Sequence, residues 1–273
     1  MSMNWFITGA SGGFGREWAS AALERGDCVI ATARTPSKLD DLAAAHVDRM
    51  LVLPLDVNDR SAVIDAVKQG HAHFGRIDVV VANAGYGLFG MVEEVSEAEA
   101  RAQFETNYFG VLWTVQAVLP YLRAQGSGHI LLLSSTGGVN VFPPVAVYNS
   151  SKWAVEAIGQ GLRQQVSQFG IKVTLIEPTG YDTDFFGGSS KFATRLPAYE
   201  PMWEAIMANL GAPDQQGVPS ATRGPILEIV DMAEPPLRAF LGAGTLEMME
   251  VEYAARLQEW RDGNERALRA FGR

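Results

Sequence analysis

A tyrosine and a lysine stand four residues apart in VYNSSKWAVEAI, at Tyr148 and Lys152. In a helix that spacing puts both on one face, one turn apart. A phenol ordinarily loses its proton at about pH 10, too high for easy exchange near neutrality; a neighbouring ammonium stabilises the phenolate and lowers that value. Lys152 can also reach ribose hydroxyls. Ser135, at the end of HILLLSS, offers a hydroxyl to hold a substrate oxygen beside the phenol, and Asn107 in FETNYFG can preserve a hydrogen-bonded water and backbone path from Lys152 to solvent. Together the four residues divide the work of carbonyl reduction. With a hydride donor at the carbon, Tyr148 is expected to protonate the oxygen and Ser135 to stabilise the developing charge; in reverse, Tyr148 would be the base toward an alcohol. Each residue alone has a plain packing explanation, so the chemistry rests on their combination with a nucleotide-binding loop.

That loop is TGASGGFGREWA, where the first strand stops and a helix starts. Gly9, Gly13 and Gly15 provide tight turning, close backbone approach and close helix packing, with Phe14 among them, and the following helix offers unpaired N-terminal amides to phosphate. The spacing departs from GxGxxG, and the Lys-Ser/Thr pair of an ATP-type phosphate loop is missing, which argues against a kinase or ATPase. After the second strand comes ATARTPSK, with Arg34 where an NAD site commonly places an acid. A guanidinium there pairs with a 2'-phosphate, and Ser11 can donate to the same group. NADP(H) is therefore expected, with NAD(H) the weaker alternative and a merely surface Arg34 the competing explanation. Lys38 reads as solvated helix and receives no role. Asp56 is expected to accept from the adenine amino group and Val57 to touch the ring, unless Asp56 only caps the next helix. Asn83, Ala84 and Gly85 end another strand beside a ribose or nicotinamide.

At this point the chain resembles the short-chain dehydrogenase/reductase family in its shorter, single-domain branch. The resemblance rests on TGASGGFG, ANAG, ETNYFG, LLSSTGG, YNSSK and EPTGYDTD, and covers residues 4 to about 185. It implies a seven-stranded Rossmann-type sheet and gives Asn107, Ser135, Tyr148 and Lys152 the catalytic roles above. It also implies that Pro178 to Thr183, with Gly180 between, borders the nicotinamide, Thr183 touching the carboxamide. Two positions depart from the pattern: Ala82 replaces a common Asn before Asn83, and Thr179 replaces a common Gly after Pro178. The long helices around Asn107 and Tyr148 resemble the family's subunit-contact surfaces, so a homodimer or homotetramer is expected.

The elements that must position these residues are short apolar runs alternating with helical patterns. WFIT, CVIATA, MLVLPL, IDVVVA, HILLLSS, KVTLIEP and PLRAFLGAG read as strands. Helices are expected over Arg16 to Glu24, Ser37 to Ala44, Arg60 to Phe74 and Ala98 to Arg123, and around Tyr148. Strands apolar throughout belong to a parallel sheet covered on both faces, so the expected fold is α/β: a doubly wound, three-layer αβα sandwich with ligand loops at the strands' carboxyl ends. The chain has 273 residues, 47% of them hydrophobic, and no linker, so residues 1–273 are expected to form one domain. Within it, 184–235 reads as an inserted substrate-binding loop and helices. Phe185, Phe186, Met202, Trp203 and Met207 offer an apolar cover, met by Val141 and Phe142 from the loop after Ser135. They suit a hydrophobic ketone or aldehyde better than a sugar phosphate.

A formal charge of -9 opposes a nucleic-acid footprint but leaves single phosphates possible. No secretory leader fits ahead of WFIT and no apolar run is long enough to span a membrane, so a cytoplasmic enzyme with no membrane partner is expected. Cys28 is the lone cysteine. His46, His71, His73 and His129 form no metal set, and none is expected. Glu247 to Glu259 reads as a charged helix facing solvent or another subunit. The competing functions are a catalytically silent nucleotide sensor on the same fold, and an epimerase or dehydratase, for which the C-terminal segment offers no sugar-nucleotide region.

Overall fold

Neighbouring residues of the first strand point to opposite sides, and both sides are apolar. In the computed structural model, which describes residues 2–208 and 216–272, β1 (Asn4–Thr8) buries Phe6 with Ile30, Val80, Ile130 and Leu175 on one face of a sheet. Trp5 and Ile7 join Val29, Ala31, Val81 and Ile176 on the other. Strands with two apolar faces must be covered twice, and the helices do so. One face takes α3 (Arg60–Phe74), α5 (Gly110–Gln125) and α6 (Ala146–Val166); the other takes α1 (Gly13–Arg25) and α8 (Arg223–Asp231).

The sheet has seven parallel strands: β1, β2 (Cys28–Ala33), β3 (Met50–Pro54), β4 (Val79–Ala82), β6 (Gly128–Leu133), β7 (Ile171–Pro178) and β9 (Arg238–Leu241). Their order is β3-β2-β1-β4-β6-β7-β9. All seven expected strands are present, in a three-layer αβα sandwich. The order reverses between β1 and β4, and such a switch point opens a crevice at the carboxyl ends of the strands.

Three local features differ from the sequence reading. The single helix expected over Ala98 to Arg123 is two, α4 (Glu97–Phe104) and α5, joined by a π-helical turn at Glu105–Phe109. A capping box between Ser96 and Glu99 starts α4. The π turn adds a residue to the helical repeat and brings Asn107 wholly inside. A second, two-stranded sheet pairs β5 (Leu88–Phe89) with β8 (Lys191–Phe192). The charged helix expected over Glu247 to Glu259 is longer, α9 (Thr245–Phe271), and mostly exposed. Among the described residues the other α-helices are α2 (Asp40–Ala45) and α7 (Glu200–Met207). Part of the 184–235 segment, 209–215, lies outside the described residues. Among those described, α8 packs Ile226 and Ile229 into the same core as Trp18 of α1. No described helix is long and apolar enough to cross a membrane, and no described group of His, Cys, Asp and Glu could hold a metal ion.

Candidate active site

One cavity of about 700 Å³ runs along the carboxyl ends of β1, β2, β3, β4, β6 and β7. Tyr148 and Lys152 line it from the first two turns of α6, and both are buried, at 7% and 4% exposure. Lys152 Nζ donates to the Leu133 carbonyl at 2.7 Å and lies 5.9 Å from the Tyr148 ring centre. Burial pushes the Tyr148 phenol up to about 12, and a hydrogen bond with Ser135 pulls it back. The same burial pushes Lys152 down to about 8, with Glu156 pulling it up. Here the structure corrects an expectation: the two neighbours do share a face, but desolvation outweighs the lysine in setting the phenol's pKa, because a low-dielectric wall penalises each charged form.

Ser135 also lines the cavity, just past β6. Its Oγ accepts from the Gly137 amide at 3.0 Å, which leaves the hydroxyl proton free to point toward the phenol. Asn107 does not line the cavity. Its Oδ1 accepts from the Tyr86 amide at 3.1 Å, while Nδ2 donates to the Tyr86 carbonyl at 3.0 Å and to Ser151 Oγ at 3.2 Å. The side chain thus braces the loop after β4 against α6, one layer behind Lys152.

At the other end the glycine turn, Gly9 to Phe14, forms a wall. Helix α1 begins at Gly13 with no side-chain cap and no acid in its first turn, so its first amides remain available to an anion. Gly15, grouped with the cofactor-contacting glycines, lies behind the turn and not on the cavity, and keeps only the packing part of that reading. A Cβ there would stand 2.5 Å from both Asn83 Nδ2 and the Gly9 carbonyl, so its role is close packing. Asn83 holds the turn from below, Nδ2 donating to the carbonyls of Thr8 at 2.9 Å and Gly9 at 3.0 Å. Ser11, Phe14, Arg34, Asp56, Val57, Asn83, Ala84 and Gly85 all line the cavity. So do Thr35 and Lys38; Lys38 had been assigned no role. Arg34 is exposed and makes no ion pair among the described residues. Asp59, not Asp56, caps α3, accepting from Ser61 and Ala62, which removes the capping explanation for Asp56. The donor set fits a dinucleotide; among the described lining residues the carboxylates of Asp56 and of Asp184, the latter near Gly12, oppose an anion.

Pro178, Thr179, Gly180 and Thr183 line the middle of the cavity. The departure at Thr179 has a partner far along the chain. Gly242 adopts φ +130°, and a Cβ on it would fall 2.0 Å from Thr179 Oγ1, so a glycine at the end of β9 opens the space that the threonine fills. Phe14 stacks on Trp18 at 5.4 Å and meets Tyr181 edge-on at 4.9 Å, which anchors this stretch to α1.

On the substrate side, Phe142 and Phe185 line the cavity, and the Phe185 ring sits edge-on to Tyr148 at 5.2 Å. Four other expected substrate contacts do not reach it. Val141 is 52% exposed on the outside of its loop. Trp203 is fully buried with Phe89 and Met91, its Nε1 donating to the Glu94 carboxylate at 3.0 Å. That seat fixes α7 and leaves Met202 and Met207 on the surface, at 48% and 43% exposure. The Phe186 side chain lies outside the described residues. Tyr86, Phe89, Asn149, Lys191 and Met248 line the cavity without having been foreseen. Tyr86 directly follows ANAG and could have been found there; Met248 comes from α9, and no local signal marks it.

The short chain dehydrogenase family model matches residues 4–193. An oxidoreductase of Botryotinia fuckeliana is 42% identical over 262 residues, covering 95% of this chain and 94% of that one. The 3-ketodihydrosphingosine reductase of Bacteroides thetaiotaomicron is 33% identical over 270 residues, covering 97% and 96%. The crystal structure of a short-chain dehydrogenase from Streptomyces avermitilis superposes with a TM-score of 0.92 at 35% identity, over 99% of each chain. With the phenol, the lysine and the glycine turn on one cavity, this chain belongs to the short-chain dehydrogenase family, as an oxidoreductase that moves hydride between a nicotinamide cofactor and a small carbonyl or alcohol substrate.

Proposed function

We propose that this enzyme prefers NADP(H) and reduces the carbonyl of a small, mainly apolar ketone or aldehyde. The observation that carries the reading is the continuity of one cavity from Arg34, a guanidinium with no ion pair among the described residues, to the buried Tyr148. A 2'-phosphate beside Arg34 gains a charge-assisted, two-point hydrogen bond that a ribose hydroxyl cannot match. Ser11 donates to the same phosphate, the first amides of α1 take the diphosphate, Asp56 and Val57 take the adenine, and Thr183 takes the carboxamide.

When bound, the nicotinamide supplies the hydride. The chain's residues govern the oxygen. Ser135 donates to it, Tyr148 Oη delivers a proton to it, and the Lys152 ammonium faces the phenolate that remains. Asn107 holds the loop and helix that carry this arrangement. Phe142, Phe185, Phe89 and Met248 offer apolar surface around the reacting carbon, which suits an alkyl or aryl ketone. The similarity to a 3-ketodihydrosphingosine reductase, named for a ketone on a long-chain base, agrees with that class. The same reading extends to a homodimer or homotetramer through the π turn and α5, where Phe109 and Trp113 stack at 5.5 Å and are only half-buried. Light scattering measures that state.

The experiment is a screen of apolar ketones, aldehydes and the matching secondary alcohols, followed by cofactor absorbance with NADPH and NADH in parallel. Turnover with NADPH at the higher kcat/KM is expected. Equal kcat/KM for the two cofactors would remove the Arg34 argument, and cofactor binding with no turnover across the panel would favour a nucleotide sensor.

A further inference from the structure

Lys152 has an acid behind it. Glu156 lies one turn further along α6 and is buried; its Oε2 accepts from Arg238 Nε on β9 at 2.9 Å, and its Oε1 is buried without a hydrogen-bond partner. Glu177, on β7, ends in the same pocket. Its side chain is fully buried, its Oε1 lies 3.4 Å from Arg238 Nε, and neither oxygen receives a protein N–H. The Ser134 hydroxyl, also buried without a partner, lies 2.4 Å from where a Cβ on Gly138 would stand, and Glu156 Cγ lies 3.2 Å from the same point. The acid cluster therefore sits directly beneath the turn that carries Ser135.

Two carboxyl groups in one buried site cannot both stay ionised; sharing a proton turns repulsion into a hydrogen bond. Burial, and then the charge of Glu156, raise Glu177 well above the usual carboxylate range, so Glu177 holds the proton at neutral pH. Arg238, which bonds Glu156 more closely, leaves the pair's negative charge there. That charge opposes the loss of the Lys152 proton that burial favours.

We propose that Glu156 is a positioning residue for the reaction: its carboxylate, held by Arg238 and by a protonated Glu177, keeps Lys152 an ammonium in the buried wall opposite the Tyr148 phenolate. The inference rests on the roles given above to Tyr148 and Lys152. Among the described residues, the charged and titratable groups at the cluster are Tyr148 and Lys152 on α6 itself, Glu177 on β7 and Arg238 on β9, while α4, which also packs on α6, pairs Arg101 with Glu97 and holds Glu99 on Ser96. The π turn buries Asn107 and the loop after β6 buries Ser134, both neutral, and β5 presents Leu88 and Phe89. Arg238 is further held by Gln160, whose Oε1 accepts from Nη2 at 2.9 Å.

The test is a lysine side-chain NMR titration of the protein without cofactor, the Lys152 signal being assigned by its loss in Lys152→Arg. In Glu156→Gln the Lys152 midpoint should fall by about half a unit or more, since a buried ammonium without a counter-charge sheds its proton more readily. The basic limb of kcat for carbonyl reduction should move down by the same amount. Glu177→Gln exchanges one neutral group for another and should leave the Lys152 midpoint in place. An unchanged midpoint in folded Glu156→Gln would overturn the proposal, and so would an equal fall in Glu177→Gln, which would put the charge on the wrong acid. Should Glu156→Gln fail to fold, Glu156→Asp retracts the carboxylate by one methylene and should give a smaller fall; no fall there also overturns it. The titration needs no turnover. Full turnover in Lys152→Ala would instead sink the roles given to Tyr148 and Lys152.

Discussion

The two ends of the central sheet treat buried polar groups in opposite ways. At the amino end, Asp27 accepts from the Met3 amide at 2.9 Å, from Trp5 Nε1 at 2.8 Å and from Arg25 Nε at 2.9 Å. Asp78 accepts from the Asn4 amide and from Arg76, and His129 Nε2 meets Thr174 Oγ1 at 2.9 Å, its buried Nδ1 being the exception without a partner at this end. At the carboxyl end, Ser134, one oxygen of Glu156 and both of Glu177 are buried without hydrogen bonds, and Tyr148 and Lys152 have strongly displaced pKa values. Polar groups paired with one another hold strands together; polar groups left short of partners in a buried wall are poised for a proton or a ligand. One end stores stability and the other stores reactivity.

Substitutions should separate the ends. Tyr148→Phe removes only the hydroxyl and should cut turnover by roughly 100- to 10,000-fold while leaving Tm and cofactor Kd near wild type. Wild-type turnover in that folded variant, saturated with cofactor, would mean another acid protonates the oxygen. Asp27→Ala should do the reverse, costing about 3 kcal/mol of stability in urea unfolding by stranding Trp5 Nε1 and Arg25, with kcat retained at permissive temperature. A loss of kcat in the folded state would break the division between the ends.

Arg34→Ala should weaken NADPH binding by roughly 10- to 100-fold and leave NADH binding nearly unchanged, read by isothermal titration. Arg34→Asp should turn the preference toward NADH. Equal NADPH affinity in wild type and Arg34→Ala would remove the phosphate contact.

A further effect concerns pH at the amino end. Burial lowers His129 to about 3, with Lys172 and Arg163 adding to the shift. A group whose folded pKa is depressed contributes stability that is present above its unfolded pKa, here about 6.5, and is lost as pH falls through the window toward 3. The unfolding free energy should decline across that window, and His129→Gln should flatten the decline without moving the pH profile of turnover. A slope identical to wild type would show that His129 does not carry it.

Much of this architecture was legible locally. Seven apolar runs became seven parallel strands because a run with no polar alternation fits only a strand covered on both faces. The sequence reading brought the glycine turn, Arg34, Asp56, Ser135, Tyr148 and Lys152 to one crevice, and they line one cavity, because each sits at a strand end or one helical turn from its partner, where sequence distance and spatial distance coincide. The break between α4 and α5 was hidden, since a π turn has no composition of its own and depends on what Asn107 must bond inside.

What the sequence determined by itself is the covered parallel sheet, the place of the crevice and the pairing of a phenol with a lysine one turn away. Only the tertiary structure decided the rest. It put Trp203 on Glu94 instead of on the substrate, brought Met248 of α9 into the cavity, and opened room for Thr179 at Gly242, 63 residues further on. It also gathered Glu156, Glu177 and Arg238 from a helix and two strands beneath Lys152. The physical reason is range: helix and strand periodicity acts over a few residues, whereas burial, cavity shape and the sharing of a proton between two acids depend on which distant segments pack together.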